Sequence, residues 1–168
     1  MKPTTRILSE QQGRYQWGER DCLSTAALLV RDATGKRLPI KGWQRTSEAR
    51  AVVKAVQQYG SVEAGHAAVL EKVGYIPLLA EHEAFKQAIK NYGKGEDTLA
   101  RLRAPEIQPG DILTIATPVV FDEGPADVDH GVATLGFVAD TYEVYTWAPN
   151  GLRVCSPEII EIFRCHKR

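Results

Sequence analysis

The chain has 168 residues, 43% hydrophobic and 25% charged, which suits one folded domain with its own core and excludes disordered, collagen-like and coiled-coil classes. Its 21 basic side chains are matched by 21 acidic ones, so no net field is available to hold nucleic acid or an anionic membrane. No apolar run reaches the length of a bilayer span, and "MKPTTRILSEQQGRY" lacks the apolar centre of a signal peptide, so we expect no membrane insertion and synthesis in a cytoplasm.

The first strongly periodic stretch is "CLSTAALLVRDATG", where Leu23, Ala26, Ala27 and Val30 share one helix face. Asp21 is a suitable N-cap and Gly35 a suitable stop, which puts Cys22 in the first helical turn. A second helix is expected in "TSEARAVVKAVQQYG", with Val52, Val53, Val56 and Tyr59 on one face and Gly60 at its end. A third is expected in "SVEAGHAAVLEKVG", where Val62, Val69, Leu70 and Val73 form a stripe that includes His66. Between Pro77 and Ala104, two short helices, "AEHEAFKQAIKNYG" and "DTLARLR", flank "GKGED".

From Gln108 the period changes. "DILTI", "GVATLGFVA", "YEVYTWA", "GLRV" and "EIIEIFRC" are short, rich in β-branched and aromatic residues, and separated by turn signals such as "ADT" and "PNG". Helices followed by antiparallel strands predict an α+β domain spanning 1–168, its amino-terminal helices packed on one face of a carboxy-terminal sheet of about five strands.

Cys22, Cys155 and Cys165 cannot all pair with one another and show no CxxC spacing, so at least one thiol is free. A helix amino terminus favours a thiolate, which marks Cys22 as a candidate nucleophile. It then needs a base. His66 lies on an apolar stripe, His82 in a charged helical segment and His166 at the tail, whereas His130 directly precedes the strand-like "GVATLGFVA". A thiol at a helix start facing an imidazole on a sheet is an arrangement suited to amide hydrolysis.

"YQWGERDC" at 15–22, "QPGDI" at 108–112 and "HGVATLGF" at 130–137, in that order, resemble the three-block signature of the NlpC-type cell-wall peptidases. The close spacing of Trp17, Gly18, Asp21 and Cys22 is similar to the compact form of phage tail-associated members. The resemblance implies a papain-like fold, no cofactor, and hydrolysis of peptide bonds in bacterial peptidoglycan, with Cys22 as nucleophile and His130 as base. It assigns Tyr15, Trp17, Asp21 and Trp147 to the substrate side, although Tyr15 is equally suited to the core and Asp21 to capping. "QPGDI" is read as the turn that launches the first strand of the sheet. Where the family has a serine after the nucleophile, this chain has Leu23, with Ser24 following. The family's third residue falls in "YEVYTWAPNG", which offers Thr146, Trp147 and Asn150; Asn150 fits chemically, because an amide oxygen can accept the imidazole N–H, and "PNG" is equally a hairpin turn.

The expected partners are peptidoglycan and other tail-tip or hub proteins of a phage, in whose virion tail the protein would reside after synthesis in the bacterial host. A rival reading keeps the fold as an inactive tail-tip assembly part. A third places a divalent ion on Asp127, Asp129 and His130; without a second histidine at ligand spacing, no metal is expected.

Overall fold

In the computed structural model, which describes residues 3–40, 42–91, 103–116, 119–120, 124–125 and 134–166, helices lead and an antiparallel sheet follows. The class is α+β, as the change of period predicts. The chain opens with a helix absent from the sequence expectation, α1 (Pro3–Glu10), whose eight residues are too few for a period to stand out, yet Ile7 and Leu8 are buried. Next, α2 (Cys22–Thr34) begins after Asp21 and ends at Gly35, whose N–H donates to the Arg31 carbonyl. A single 3-10 turn, Trp43–Arg45, precedes α3 (Glu48–Tyr59) and α4 (Val62–Lys72). The Ser47 and Ser61 hydroxyls cap these two helices by accepting from the N–H groups of Arg50 and Ala64. After them, α5 (Leu78–Asn91) covers most of the helix expected from residue 80; the helix expected in "DTLARLR" lies, apart from Arg103, outside the described residues.

The strands are β1 (Tyr75–Pro77), β2 (Ile112–Ile115), β3 (Val119–Val120), β4 (Gly124–Pro125), β5 (Thr134–Val138), β6 (Val144–Ala148), β7 (Gly151–Ser156) and β8 (Ile159–Cys165). They form one sheet in the order β1-β8-β2-β5-β6-β7-β3-β4, every described pair antiparallel. The five strand-like runs of the sequence supply β2 and β5 to β8. The sheet is larger than about five strands, because the three residues "YIP" pair with the β8 edge from within the helical half and β3 and β4 extend the other end. Runs of two or three residues carry no alternation to read.

Each face of the sheet has its own apolar cluster. On one, Ile112, Leu135, Phe137, Trp147 and Phe163 pack with Ala26, Leu29 and Val30 of α2 and Leu70 of α4. On the other, Leu113, Ile115, Val138, Val144 and Ile162 are covered by Leu78 and Leu79 of α5 and by Ile107. The expectation of helices on a single face therefore needs correction: β2, β5 and β6 are apolar on both pleats, so both faces require cover. The turn at 108–111 is built around Asp111, which is 1% exposed; its Oδ2 accepts from the Gln108 N–H (2.8 Å) and its backbone carbonyl from Val138 (3.1 Å).

His66 sits in α4 with Nδ1 buried and without a hydrogen-bond partner. Burial lowers its pKa to about 4. Because this folded value lies below the ordinary imidazole value, stability is complete above about pH 6.5 and is lost as pH falls toward 4. His66→Leu should flatten the decline of melting temperature between pH 6.5 and 4; an unchanged decline would place the sensitive group elsewhere.

Candidate functional site

The stretch from Tyr15 to Cys22 folds into a loop anchored at both ends. Trp17 donates its indole N–H to the carbonyls of Thr46 (2.8 Å) and Trp43 (3.2 Å), and its ring meets Trp43 edge-on at 5.4 Å. Gly18, at φ +91°, directs its N–H to Asp21 Oδ2 (2.6 Å). Asp21 Oδ1 accepts from the backbone N–H (2.8 Å) and hydroxyl (2.9 Å) of Ser24, whose Oγ accepts in turn from the Asp21 N–H (3.0 Å). This is a reciprocal capping box with serine in the place usually held by Glu or Gln. Asp21 is 1% exposed and its carboxylate is engaged by Gly18 and Ser24, so its observed work is to fix the helix start.

That cap places Cys22 at the first position of α2, partly exposed and directed at the start of β5. Its Sγ lies 3.0 Å from Thr134 Oγ1 and 3.8 Å from the Leu135 carbonyl oxygen. Burial raises the thiol pKa and the Asp21 charge adds to the rise, while hydrogen bonds from Thr134 and from the backbone at Leu135 and Trp147 oppose it. Burial is the largest of these influences and opposes the favourable effect of the helix terminus.

Tyr15 bridges the loop and the core. Its hydroxyl donates to Glu48 Oε1 (2.6 Å), its backbone N–H donates to the Pro149 carbonyl (3.2 Å), and its ring meets Trp147 edge-on at 6.5 Å. Burial, reinforced by Glu48, raises the phenol pKa, so Tyr15 stays protonated and able to donate. Trp147 is 1% exposed and donates its indole N–H to Thr25 Oγ1 (2.9 Å); it supports Tyr15 from below and offers a ligand little surface. Thr146 is fully buried and donates to the Leu135 carbonyl (3.0 Å), which stitches β6 to β5. Asn150 is exposed, in the β6–β7 hairpin turn three residues beyond Trp147.

The structure thus gathers Tyr15, Trp17, Asp21, Cys22 and Trp147 into one neighbourhood. His130, Asp127 and Asp129 lie outside the described residues, so the expected Cys22–His130 contact and the ion-binding alternative both fall there. Among the described residues, no group of three His, Cys, Asp or Glu side chains is placed to hold a metal. Two contributors escaped the sequence reading: Thr134, whose polar character was hidden inside an apolar run, and Glu48, an ordinary first-turn acid of α3.

The three thiols are all free. Cys155 and Cys165 are buried, and burial pushes Cys155 up to about 11. An alkylating reagent should therefore label Cys22 first, slowly at pH 7 and faster as pH rises through and beyond the ordinary thiol range. Thr134→Val, which removes the hydroxyl at constant volume, should slow that labelling further at fixed pH. Faster labelling of Cys155 or Cys165 in the folded protein would contradict this order.

No helix among the described residues is long and apolar enough to cross a membrane. Comparison of the chain with protein-family models, with curated proteins and with solved structures finds no match.

Proposed function

We propose that this chain is a papain-like cysteine peptidase that cleaves peptide bonds of bacterial peptidoglycan, carried in a phage tail tip to open the wall locally. The observation that supports it most directly is the Cys22 thiol, held at the first position of a capped helix against the opening residue of a core strand. His130 precedes that strand residue, Thr134, by four positions in the sequence. In the reaction, His130 takes the Sγ proton as sulfur attacks the carbonyl carbon. The imidazolium then gives that proton to the departing amine, and water, deprotonated by the same imidazole, hydrolyses the thioester to regenerate the thiol. Because burial raises the thiol pKa, the rate should rise with pH as the imidazole loses its proton and can accept that of the thiol. The test is mass-spectrometric analysis of fragments released from purified peptidoglycan across pH, for wild type and His130→Ala. Equal release from both proteins would remove His130 from the mechanism.

A specific observation favours the rival reading of an inactive tail-tip component on the same fold. The side-chain partner of the sulfur among the described residues is the Thr134 hydroxyl, which cannot serve as a base at neutral pH. Wild-type protein that releases no fragments from the wall of any susceptible host, yet assembles into tails, would decide for that reading.

A further inference from the structure

Strands β5 and β6 leave their connecting turn as regular partners: the Ala139 N–H donates to the Glu143 carbonyl (2.9 Å), Val138 lies opposite Val144 and Phe137 opposite Tyr145. In an antiparallel ladder every second facing pair exchanges both backbone hydrogen bonds. Counting from Ala139 and Glu143, the rung after Phe137–Tyr145 is Leu135–Trp147, in which the Trp147 N–H would donate to the Leu135 carbonyl. The register ends before that rung, although Leu135 stays paired with Thr114 of β2 and Trp147 with Leu152 of β7. The Leu135 carbonyl accepts instead from the fully buried Thr146 hydroxyl (3.0 Å). Cys22 Sγ stands at the gap, 3.8 Å from the same carbonyl oxygen and in hydrogen-bond contact with the backbone of Leu135 and of Trp147.

We propose that Thr146 is a positioning residue for the Cys22 thiol: its hydroxyl occupies the Leu135 carbonyl, keeps the Leu135–Trp147 rung open, and so leaves the backbone N–H groups of that rung to receive the sulfur as a thiolate. A carbonyl buried in a sheet has to be paired. Without the Thr146 hydroxyl, the donor that antiparallel geometry offers to Leu135 is the Trp147 N–H, and a rung closed in that way withdraws the donor from the sulfur. Donors to a thiolate favour ionisation, so their loss makes the thiol harder to deprotonate.

Among the described residues, the titratable groups that bear on the sulfur offer it no help. Asp21, at the cap of the same helix, opposes a second negative charge, and Tyr15, beyond Trp147, commits its phenolic proton to Glu48 of α3. Stabilisation of the thiolate therefore falls to the backbone of β5 and β6 and to the Thr134 hydroxyl. Thr114 provides a matched comparison. It faces Leu135 from the opposite side, is as deeply buried, and its hydroxyl has no hydrogen-bond partner among the described residues. The inference goes beyond the peptidase reading, because it concerns ionisation of the thiol and is measured without turnover.

The experiment follows the rate of Cys22 alkylation by iodoacetamide against pH in the full chain, with labelling located by mass spectrometry. Thr146→Val, which removes the hydroxyl at nearly constant volume, should slow alkylation at least fivefold at about pH 8 and move the profile to higher pH. Thr146→Ser, which keeps the hydroxyl, should stay within twofold of wild type, and so should Thr114→Val. Each comparison is repeated with His130→Ala, so that titration of an imidazole is not read as an effect of Thr146. Amide NMR of the wild type supplies a readout that needs no variant at position 146: the Leu135 and Trp147 resonances should shift with the midpoint of Cys22 ionisation, and should not shift over that range in Cys22→Ala. A wild-type profile in Thr146→Val, an equal slowing in Thr114→Val, or Leu135 and Trp147 amides that ignore the thiol titration would overturn the proposal. A chain that meets all these expectations but releases nothing from the wall would retain the open rung and lose the peptidase.

Discussion

Cys22→Ala is expected to abolish release of peptide fragments from purified peptidoglycan while moving the melting temperature by only a few degrees. The large effect on activity follows because no other thiol can substitute: Cys155 and Cys165 are 5% and 7% exposed, one in each apolar cluster of the sheet. The small effect on stability follows from what remains. The cap of α2 is made by Asp21 and Ser24, neither of which needs the sulfur. Loss of the contact with Thr134, together with a void the size of one sulfur, costs about 1 kcal/mol. For a chain of this size that is a shift of roughly 2–4 °C. The measurement pairs a fragment-release assay with a thermal melt, so that a failure of folding is not read as a failure of chemistry. Release by Cys22→Ala at the wild-type rate would move the nucleophile elsewhere; release by neither protein would favour the inactive tail-tip component.

Much of this arrangement was legible in the residues, and the reasons differ from element to element. Asp21 and Gly35 bracket α2 because capping and left-handed termination are local preferences, decided within a few residues. The later strands were readable because their runs are longer and rich in β-branched residues. Where the signal is short, the sequence is silent. Tyr75–Pro77 is a strand only because the β8 edge pairs with it, and α1 is held by burial of Ile7 and Leu8 against the rest of the fold. The site divides the same way. Tyr15 through Cys22 could be read as one constellation, since a cap, an αL glycine and two aromatics lie within eight residues. The contact of Thr134 with Cys22 spans 112 residues and depends on where β5 begins, a boundary that alternation in "GVATLGFVA" leaves open. Glu48 meets Tyr15 through tertiary packing alone. Asn150, chosen for its amide, stands in a turn whose requirements are met as well by asparagine in a purely structural role.

Asp111→Ala is expected to produce the largest loss of stability of any change proposed for this chain, about 2–4 kcal/mol, or a fall of roughly 5–15 °C in melting temperature. The carboxylate is 1% exposed and receives three charge-assisted or backbone hydrogen bonds: Arg164 Nε at 2.9 Å, Arg164 Nη2 at 2.8 Å and the Gln108 N–H at 2.8 Å. Removing it leaves a backbone donor unsatisfied at the turn and a guanidinium without its counter-charge. The penalty stays below that of a fully buried pair because the Arg164 side chain is 30% exposed and keeps a bond to the Glu106 carbonyl (2.8 Å). The direction of the Arg164 shift agrees, since the hydrogen bond to Asp111 raises its pKa against the opposing effect of burial. Arg164→Met should be comparably costly, because it leaves the buried Asp111 carboxylate without its counter-charge and with the bond from Gln108 alone. The double variant should cost less than the sum of the two, since neither partner then remains buried alone. Chemical denaturation of the four proteins at neutral pH measures the cycle. Simple additivity would show that Asp111 acts through the Gln108 turn alone, and that the ion pair to β8 adds nothing to the fold.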